Sequence, residues 1–381
     1  MTPLARQSTM AFRAAARRHM SVAVAAPKKT TIARIAELRA KKIPISVLTA
    51  YDFPTARGCS SHPVDITLVG DSLAQVCLGY PSTTYLSLDE MLHHCRAVAR
   101  GTTTPLLVAD MPFGTYAPSP SDAIRAAVRI IQEGHVEAVK LEGGEEIVPH
   151  VIALTNMGIP VLAHIGLLPQ RSTALSGYRV QGRTAASANA LTRAAQALEN
   201  AGAFAIVLEA MPSQLGEYIT RTLTIPTIGI GAGPGTNGQV LVWDDMLGTW
   251  HGHKAKCVYS LPIRTYPESH LSLSSRFVRH FADVQKEVER GVSAYVHAVK
   301  DGSFPNPDRE GYVIDPSEWE AFLRAQGQPG KTVVEHAGKQ RPDATSDCVE
   351  TAQPAESRLS AHPRTNETDD KVGKKAELHT L

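Results

Sequence analysis

The sequence predicts an α/β chain folded as a single (β/α)8 barrel of the TIM type, flanked by a disordered N-terminal presequence and a disordered C-terminal tail. Three observations point there. Short, continuous apolar runs alternate with helical periods over about 220 residues, as parallel strands covered on both faces require. Polar residues stand at or just past the ends of several of those runs. Both termini differ in composition from everything between them.

Taken in order, the expected strands are 45–49, 66–69, 106–109, 138–141, 160–163, 205–208 and 227–230, with a weaker eighth near 239–243. Helical periods fall at 88–100, 121–133, 145–156, 186–200 and 214–221. Gly101, Gly134, Gly158 and Gly202 follow helical stretches, where a left-handed residue often closes a helix. The runner-up architecture is an open doubly wound sheet. Asp71, Asp110, Lys140, Glu142, His164 and Glu209 favour closure, because only a ring of strand ends lets all six meet.

The domain plan is a presequence over 1–30, a catalytic barrel over 31–326 and a tail over 327–381. Before Glu37 there is no acid, while Arg6, Arg13, Arg17, Arg18, Lys28, Lys29 and Arg34 are basic among Ser, Thr and Ala. That is the composition of a transit peptide, so the expected location is the mitochondrial matrix; the bland alternative is a basic arm. Beyond Gly327 large apolar residues are too sparse to offset ordering entropy. A formal net charge of +2 gives no global field for nucleic acid. No apolar run reaches the length of a membrane span. The five cysteines form no C-x-x-C pair, which argues against zinc and against a disulfide framework.

Asp71, Asp110 and Glu142 are hard oxygen donors at the ends of different strands, a set suited to Mg2+. Taken singly, each could be a helix cap or surface acid. Lys140 lies two residues before Glu142 on one strand, so both point to the same face; it could hold an anionic substrate or simply pair with Glu142. Glu209, before Ala-Met-Pro, is either a general base or a helix-capping acid. His164 is open between metal ligand, hydrogen-bond donor and core histidine, with the donor role preferred. His93 and His94 read as ordinary surface. Gly229-Ile-Gly231-Ala-Gly233 could cradle phosphate, but close packing explains it equally well.

Together these segments resemble the ketopantoate hydroxymethyltransferase family from about Thr31 to Tyr312. The matching motifs run Thr49-Ala-Tyr-Asp52, Val69-Gly-Asp-Ser-Leu73, Ala109-Asp-Met-Pro-Phe113 and Val139-Lys-Leu-Glu-Gly-Gly144. Ala163-His-Ile-Gly166, Leu168-Pro-Gln170, Gly177-Tyr-Arg-Val-Gln-Gly-Arg183, Leu208-Glu209 and Gly229–Gly233 complete the order. The resemblance implies a homo-oligomeric barrel using Mg2+, with 5,10-methylenetetrahydrofolate as co-substrate. It implies transfer of a one-carbon unit to 3-methyl-2-oxobutanoate. Asp71 and Asp110 then look like metal ligands that also face the substrate, with Glu142 in the metal shell. Ser72 and Lys140 look like substrate contacts, Glu209 like the proton acceptor and His164 like a site histidine near the keto group. Two small-molecule partners, a 2-oxo acid and a folate, are expected, and neither nucleic acid nor membrane.

One departure interrupts the family pattern. Residues Cys257–Arg276 separate Lys256 from Phe277, and removing them restores a smooth join. They read as a retained intron or as a surface loop. Ala74 and Leu168 also replace residues that are commonly Gly and Thr in the family. Two other functions compete: a Mg2+-dependent lyase or mutase of the isocitrate lyase kind, and a catalytically silent scaffold. The first would be expected to carry a Lys-Lys-Cys-Gly-type loop, which is not seen.

Overall fold

The computed structural model describes residues 28–249 and 278–327. The stretch expected to be a presequence, up to residue 27, the 257–276 segment and the stretch beyond Gly327 lie outside the described residues. The chain divides into two compact units that meet in sequence at Phe304 and Pro305.

The first unit holds eight parallel strands in sequential order, closed into a barrel: β1 Ile45–Thr49, β2 Ile66–Val69, β3 Leu106–Asp110, β4 Ala138–Glu142, β5 Val161–Gly166, β6 Ala205–Glu209, β7 Thr227–Ile230 and β8 Gly238–Leu241. The helices between them are α1 Ile32–Ala40, α2 Phe53–Ser60, α3 Leu73–Val76, α4 Leu88–Gly101, α5 Pro120–Gly134, α6 Val148–Asn156, α7 Ala185–Asn200, α8 Ser213–Thr222 and α9 Trp243–Leu247, followed by α10 Val284–Asp301. The second unit contributes α11 Pro316–Ala325.

Strand pleating divides the core in two. Ile45, Val47, Ile66, Leu68, Leu106, Val108, Leu162 and Val207 fill the barrel interior together with Ile35 and Leu38 of α1. The alternate residues, among them Val69, Leu107, Val139, Leu141, Ile165 and Leu208, pack outward on the helices. Leu141 is therefore committed to the helix layer, and Lys140 and Glu142, on either side of it, turn to the barrel axis. The helix α1 lies at the barrel's N-terminal end, where the Thr30 amide donates to the Thr104 carbonyl and the Arg39 guanidinium to the Leu223 carbonyl. Lys29 already pairs with Glu137 at 2.7 Å.

Several local expectations need correction. The eighth strand ends at Leu241, and Trp243 opens a helix, its ring lying where a Cβ on Gly58 would have to go. Gly101 and Gly134 do not close their helices; both lie inside them, and added methyls would meet the Phe53 carbonyl and Cys95 Cβ of neighbouring helices. His135, at φ 58°, takes the left-handed position instead. Residues 145–156 start as a 3-10 turn before α6 begins at Val148. The helices α1, α2, α3, α9, α10 and α11 were not anticipated.

Candidate active site

The C-terminal ends of the strands gather every singled-out polar residue at one rim. Register places Asp110 beside Lys140, Glu142 beside His164, and Gly166 beside Glu209. Lys140 Nζ lies 2.6 Å from Asp110 Oδ1 and 3.9 Å from Glu142 Oε1. The other Asp110 oxygen accepts the Asp71 backbone N–H at 2.9 Å, so β2 and β3 are tied together at the acids themselves. On the far side, His164 Nδ1 lies 3.6 Å from Glu142 Oε1, and Nε2 lies 3.2 Å from Glu209 Oε2. Asp71, Asp110, Lys140, Glu142 and His164 are all buried, while Glu209 keeps 13% of its side chain exposed. The partly open acid is thus the one free to meet an incoming molecule.

Burial of so many carboxylates around one ammonium group is electrostatically unbalanced. Desolvation, then the charges of Asp110 and Glu142, push Asp71 well above the usual carboxylate range, against the pull of Lys140 and Gln170. Burial also disfavours the charged form of Lys140, but its three acidic neighbours outweigh that and push its pKa up. Glu142 is lowered despite its burial, by His164 and then Lys140.

His164 carries the clearest pH consequence. Burial, then the Lys140 charge, would lower its pKa, but the carboxylates of Glu142 and Glu209 override both and raise it from 6.5 to about 9. A raised folded-state value means that the imidazolium stabilises the cation-free protein fully below pH 6.5. This contribution disappears as pH climbs through about 9. The stability difference between wild type and His164→Gln, measured by urea unfolding in EDTA, is therefore expected to shrink across that window. A difference that stays constant from pH 6.5 to 9 contradicts the assignment.

Ser72 is aimed by a relay. The Trp243 amide donates to Thr49 Oγ1 at 2.8 Å, and Thr49 Oγ1 donates to the Tyr51 hydroxyl at 2.8 Å. Tyr51 and Ser72 lie 2.8 Å apart. With each hydroxyl owning one proton, Tyr51 passes its hydrogen to Ser72, whose own hydrogen is left to serve a ligand. Asp52, in the same motif, caps α2 through Thr55.

Backbone geometry fixes Glu209. Gly166 has φ 101°, and a Cβ there would come 2.2 Å from the Glu209 carbonyl oxygen, so no other residue fits beside this strand end. Ala210 follows at φ 46°, a costly conformation for a non-glycine residue. Its amide and carbonyl are held by the Ile230 carbonyl and the Gln181 amide, each at 2.9 Å. The glycines from Gly229 to Gly233 have a packing explanation: Gly229 faces Thr236, and Gly233 lies against Ser213 of α8.

Four residues were missed or misjudged from sequence. Gln170 and Tyr116 sit buried among the acids. Tyr178 is half-buried, and its phenol is pushed up to about 12 by burial and then by Asp71 and Glu209. His94, expected at the surface, is half-buried, with Nδ1 2.6 Å from the Tyr51 carbonyl; His93 is exposed.

The donor set suits a hard divalent cation bound with its substrate. Among the described residues, no three of His, Cys, Asp and Glu form a ready-made metal cluster. Mg2+ does not require one, because it typically takes one or two carboxylates and completes its shell with water and substrate oxygens. Glu142 Oε1 and both ring nitrogens of His164 are buried without an aligned hydrogen-bond partner. Orphaned groups at the rim of a negatively charged site fit an absent ligand.

Comparison with known proteins gives a consistent picture. A family model described as ketopantoate hydroxymethyltransferase matches residues 29–307. The chain is 47% identical over 272 residues to a 3-methyl-2-oxobutanoate hydroxymethyltransferase of Oleidesulfovibrio alaskensis, covering 71% of this chain and 87% of the relative. It is 43% identical over 298 residues to the Emericella nidulans enzyme of that name, covering 78% of this chain and 80% of the relative. A rice relative, 3-methyl-2-oxobutanoate hydroxymethyltransferase 2, mitochondrial, is 40% identical over 324 residues, covering 85% and 75%. Among solved structures, a phosphonopyruvate hydrolase complexed with oxalate and Mg++ aligns at TM-score 0.46 and 13% identity, covering 78% of this chain and 96% of that one. That likeness is too remote to carry function. The chain belongs to the ketopantoate hydroxymethyltransferase family and is an enzyme, a hydroxymethyltransferase.

Proposed function

We propose that the enzyme transfers a hydroxymethyl group from 5,10-methylenetetrahydrofolate to 3-methyl-2-oxobutanoate, giving 2-dehydropantoate and tetrahydrofolate on the route to pantothenate. The observation that carries this reading is the convergence of Asp71, Asp110, Lys140, Glu142, His164 and Glu209 on one rim, in a chain whose relatives bear that enzyme name. Asp71 and Asp110 would hold Mg2+, with Glu142 beside them. When bound, the cation supplies Lewis-acid charge that lowers the cost of an enolate.

The remaining work falls to the chain's own groups. Glu209, the partly open acid, takes the proton from C3 of the 2-oxo acid. His164, 3.2 Å from Glu209 Oε2, holds positive charge beside the base and near the keto oxygen. Lys140 brings its ammonium to the anionic oxygens of the substrate. Ser72 donates the hydrogen that its relay leaves free. The folate's methylene carbon is held by two nitrogens, and it exchanges both C–N bonds for a C–O bond from water and a C–C bond to the carbon nucleophile. The proton that Glu209 took from C3 and one proton of that water end on the two folate nitrogens, which leaves tetrahydrofolate.

Location and assembly follow the same reading. An acid-free basic leader in the sequence and a rice relative named mitochondrial support the matrix. Residues 1–30 fused to a fluorescent protein that remained cytosolic would remove that assignment. Family membership supports a homo-oligomer, which light scattering at a monomer's mass would refute. The activity itself is tested with pure protein, Mg2+, 3-methyl-2-oxobutanoate and methylenetetrahydrofolate. Folate-dependent 2-dehydropantoate is expected, and its absence from folded protein would reject the proposal.

A further inference from the structure

We infer that Gln170 is a positioning residue of the reaction centre, fixing the carboxylate of Asp71 with its side chain and that of Glu142 with its backbone. This rests on the cation reading above. Gln170 lies in the 3-10 turn Pro169–Arg171 just after β5 and is only 4% exposed. Its Nε2 donates to Asp71 Oδ2 at 2.9 Å and to the Met111 carbonyl at 2.9 Å. Its Oε1 accepts from the Tyr116 hydroxyl at 2.9 Å, and its backbone N–H donates to Glu142 Oε2 at 3.0 Å.

Chemistry fixes which end of the amide is which. A carboxylate and a carbonyl are acceptors, so the nitrogen must face them, and the oxygen is left to the phenol. Tyr116 OH also lies 3.0 Å from the Glu142 carbonyl, so its one hydrogen is shared between two oxygens. Turning the amide over would strand buried acceptors at both ends. One residue therefore connects the ends of β2 and β3 through its side chain, and that of β4 through its backbone N–H, from a turn after β5. It commits one Asp71 oxygen and leaves the other for a ligand.

A residue that merely filled space would affect stability without changing how the acids bind a cation. Positioning predicts otherwise, and Mn2+ is a spectroscopically visible probe for Mg2+. Gln170→Met keeps the shape and removes both donors. Its Kd for Mn2+, followed by electron paramagnetic resonance, is expected to weaken about 10–100-fold, with kcat falling in parallel. Tyr116→Phe, which removes only the hydroxyl that orients the amide, should weaken Mn2+ at least threefold. The double variant should be no worse than Gln170→Met alone, because Tyr116 acts through the amide.

Mn2+ affinity and kcat within twofold of wild type in Gln170→Met overturn the inference, as do additive effects in the double variant. If Gln170→Met does not fold, Tyr116→Phe decides: unchanged Mn2+ affinity overturns the inference and threefold weakening supports it. Wild type that binds no Mn2+ overturns the cation reading and this inference with it. Wild-type binding with an unaffected variant overturns the inference alone.

Discussion

Glu209→Gln is expected to lower kcat roughly a thousandfold, within the range a positioned general base supplies, while leaving Mg2+ affinity within about threefold of wild type. The variant keeps the volume and hydrogen-bonding reach of the acid, and only its basicity is lost. Glu209 touches His164 at 3.2 Å and neither hydrogen-bonds nor ion-pairs with Asp71 or Asp110, so the cation's side of the site should not feel the change. Steady-state kinetics and calorimetric Mg2+ titration make the check together. A kcat within tenfold of wild type would remove Glu209 from the proton-transfer step. Lost Mg2+ binding with residual turnover would instead place it at the metal.

Lys140→Met is expected to destabilise the cation-free enzyme by about 3–5 kcal/mol, the usual cost of breaking a buried ion pair from one side. Its ammonium lies 2.6 Å from Asp110 and 3.9 Å from Glu142, so it bears directly on both buried acids. A second consequence separates charge balance from packing. Saturating Mg2+ should recover part of the lost stability, since a divalent cation supplies positive charge to the same carboxylates. Adding Asp110→Asn should likewise recover stability without recovering turnover. Urea unfolding with and without Mg2+ makes the measurement. A loss below about 1 kcal/mol, or one indifferent to Mg2+, would mean that Lys140 does not balance the cluster.

Much of this architecture could be read from the chain because parallel strands are buried on both faces and leave short, unbroken apolar runs. The limits of β1, β2 and β7 agree with the sequence reading, and the others shift by one to three residues. The shifts concentrate where polar residues extend the ladder: Asp110, Glu142 and Glu209 each close a strand that hydrophobicity alone would stop one residue sooner. The acids were conspicuous for the same reason, as charges abutting apolar runs. Gln170 and Tyr116 gave no such signal. Each is neutral and lies in a loop, and each matters only because loops after different strands converge. The one available hint was a polar amide in Leu168-Pro-Gln170 directly after a strand. The helix α1 was overlooked because its two buried residues, Ile35 and Leu38, are flanked by charges and adjoin the stretch read as a leader. The Asp71 amide donates to the Asp110 carboxylate at 2.9 Å, so the ends of β2 and β3 do meet.

The central claim is that a rim of acids, one ammonium and one imidazole makes the C3 proton of a 2-oxo acid removable before any folate arrives. Proton NMR of 3-methyl-2-oxobutanoate, incubated in D2O with pure enzyme and Mg2+ but no folate, addresses it directly. The account predicts loss of the C3 proton signal at a rate set by enzyme concentration, abolished by EDTA and by Glu209→Gln. A C3 signal that persists, in enzyme shown to form product once folate is added, would contradict it.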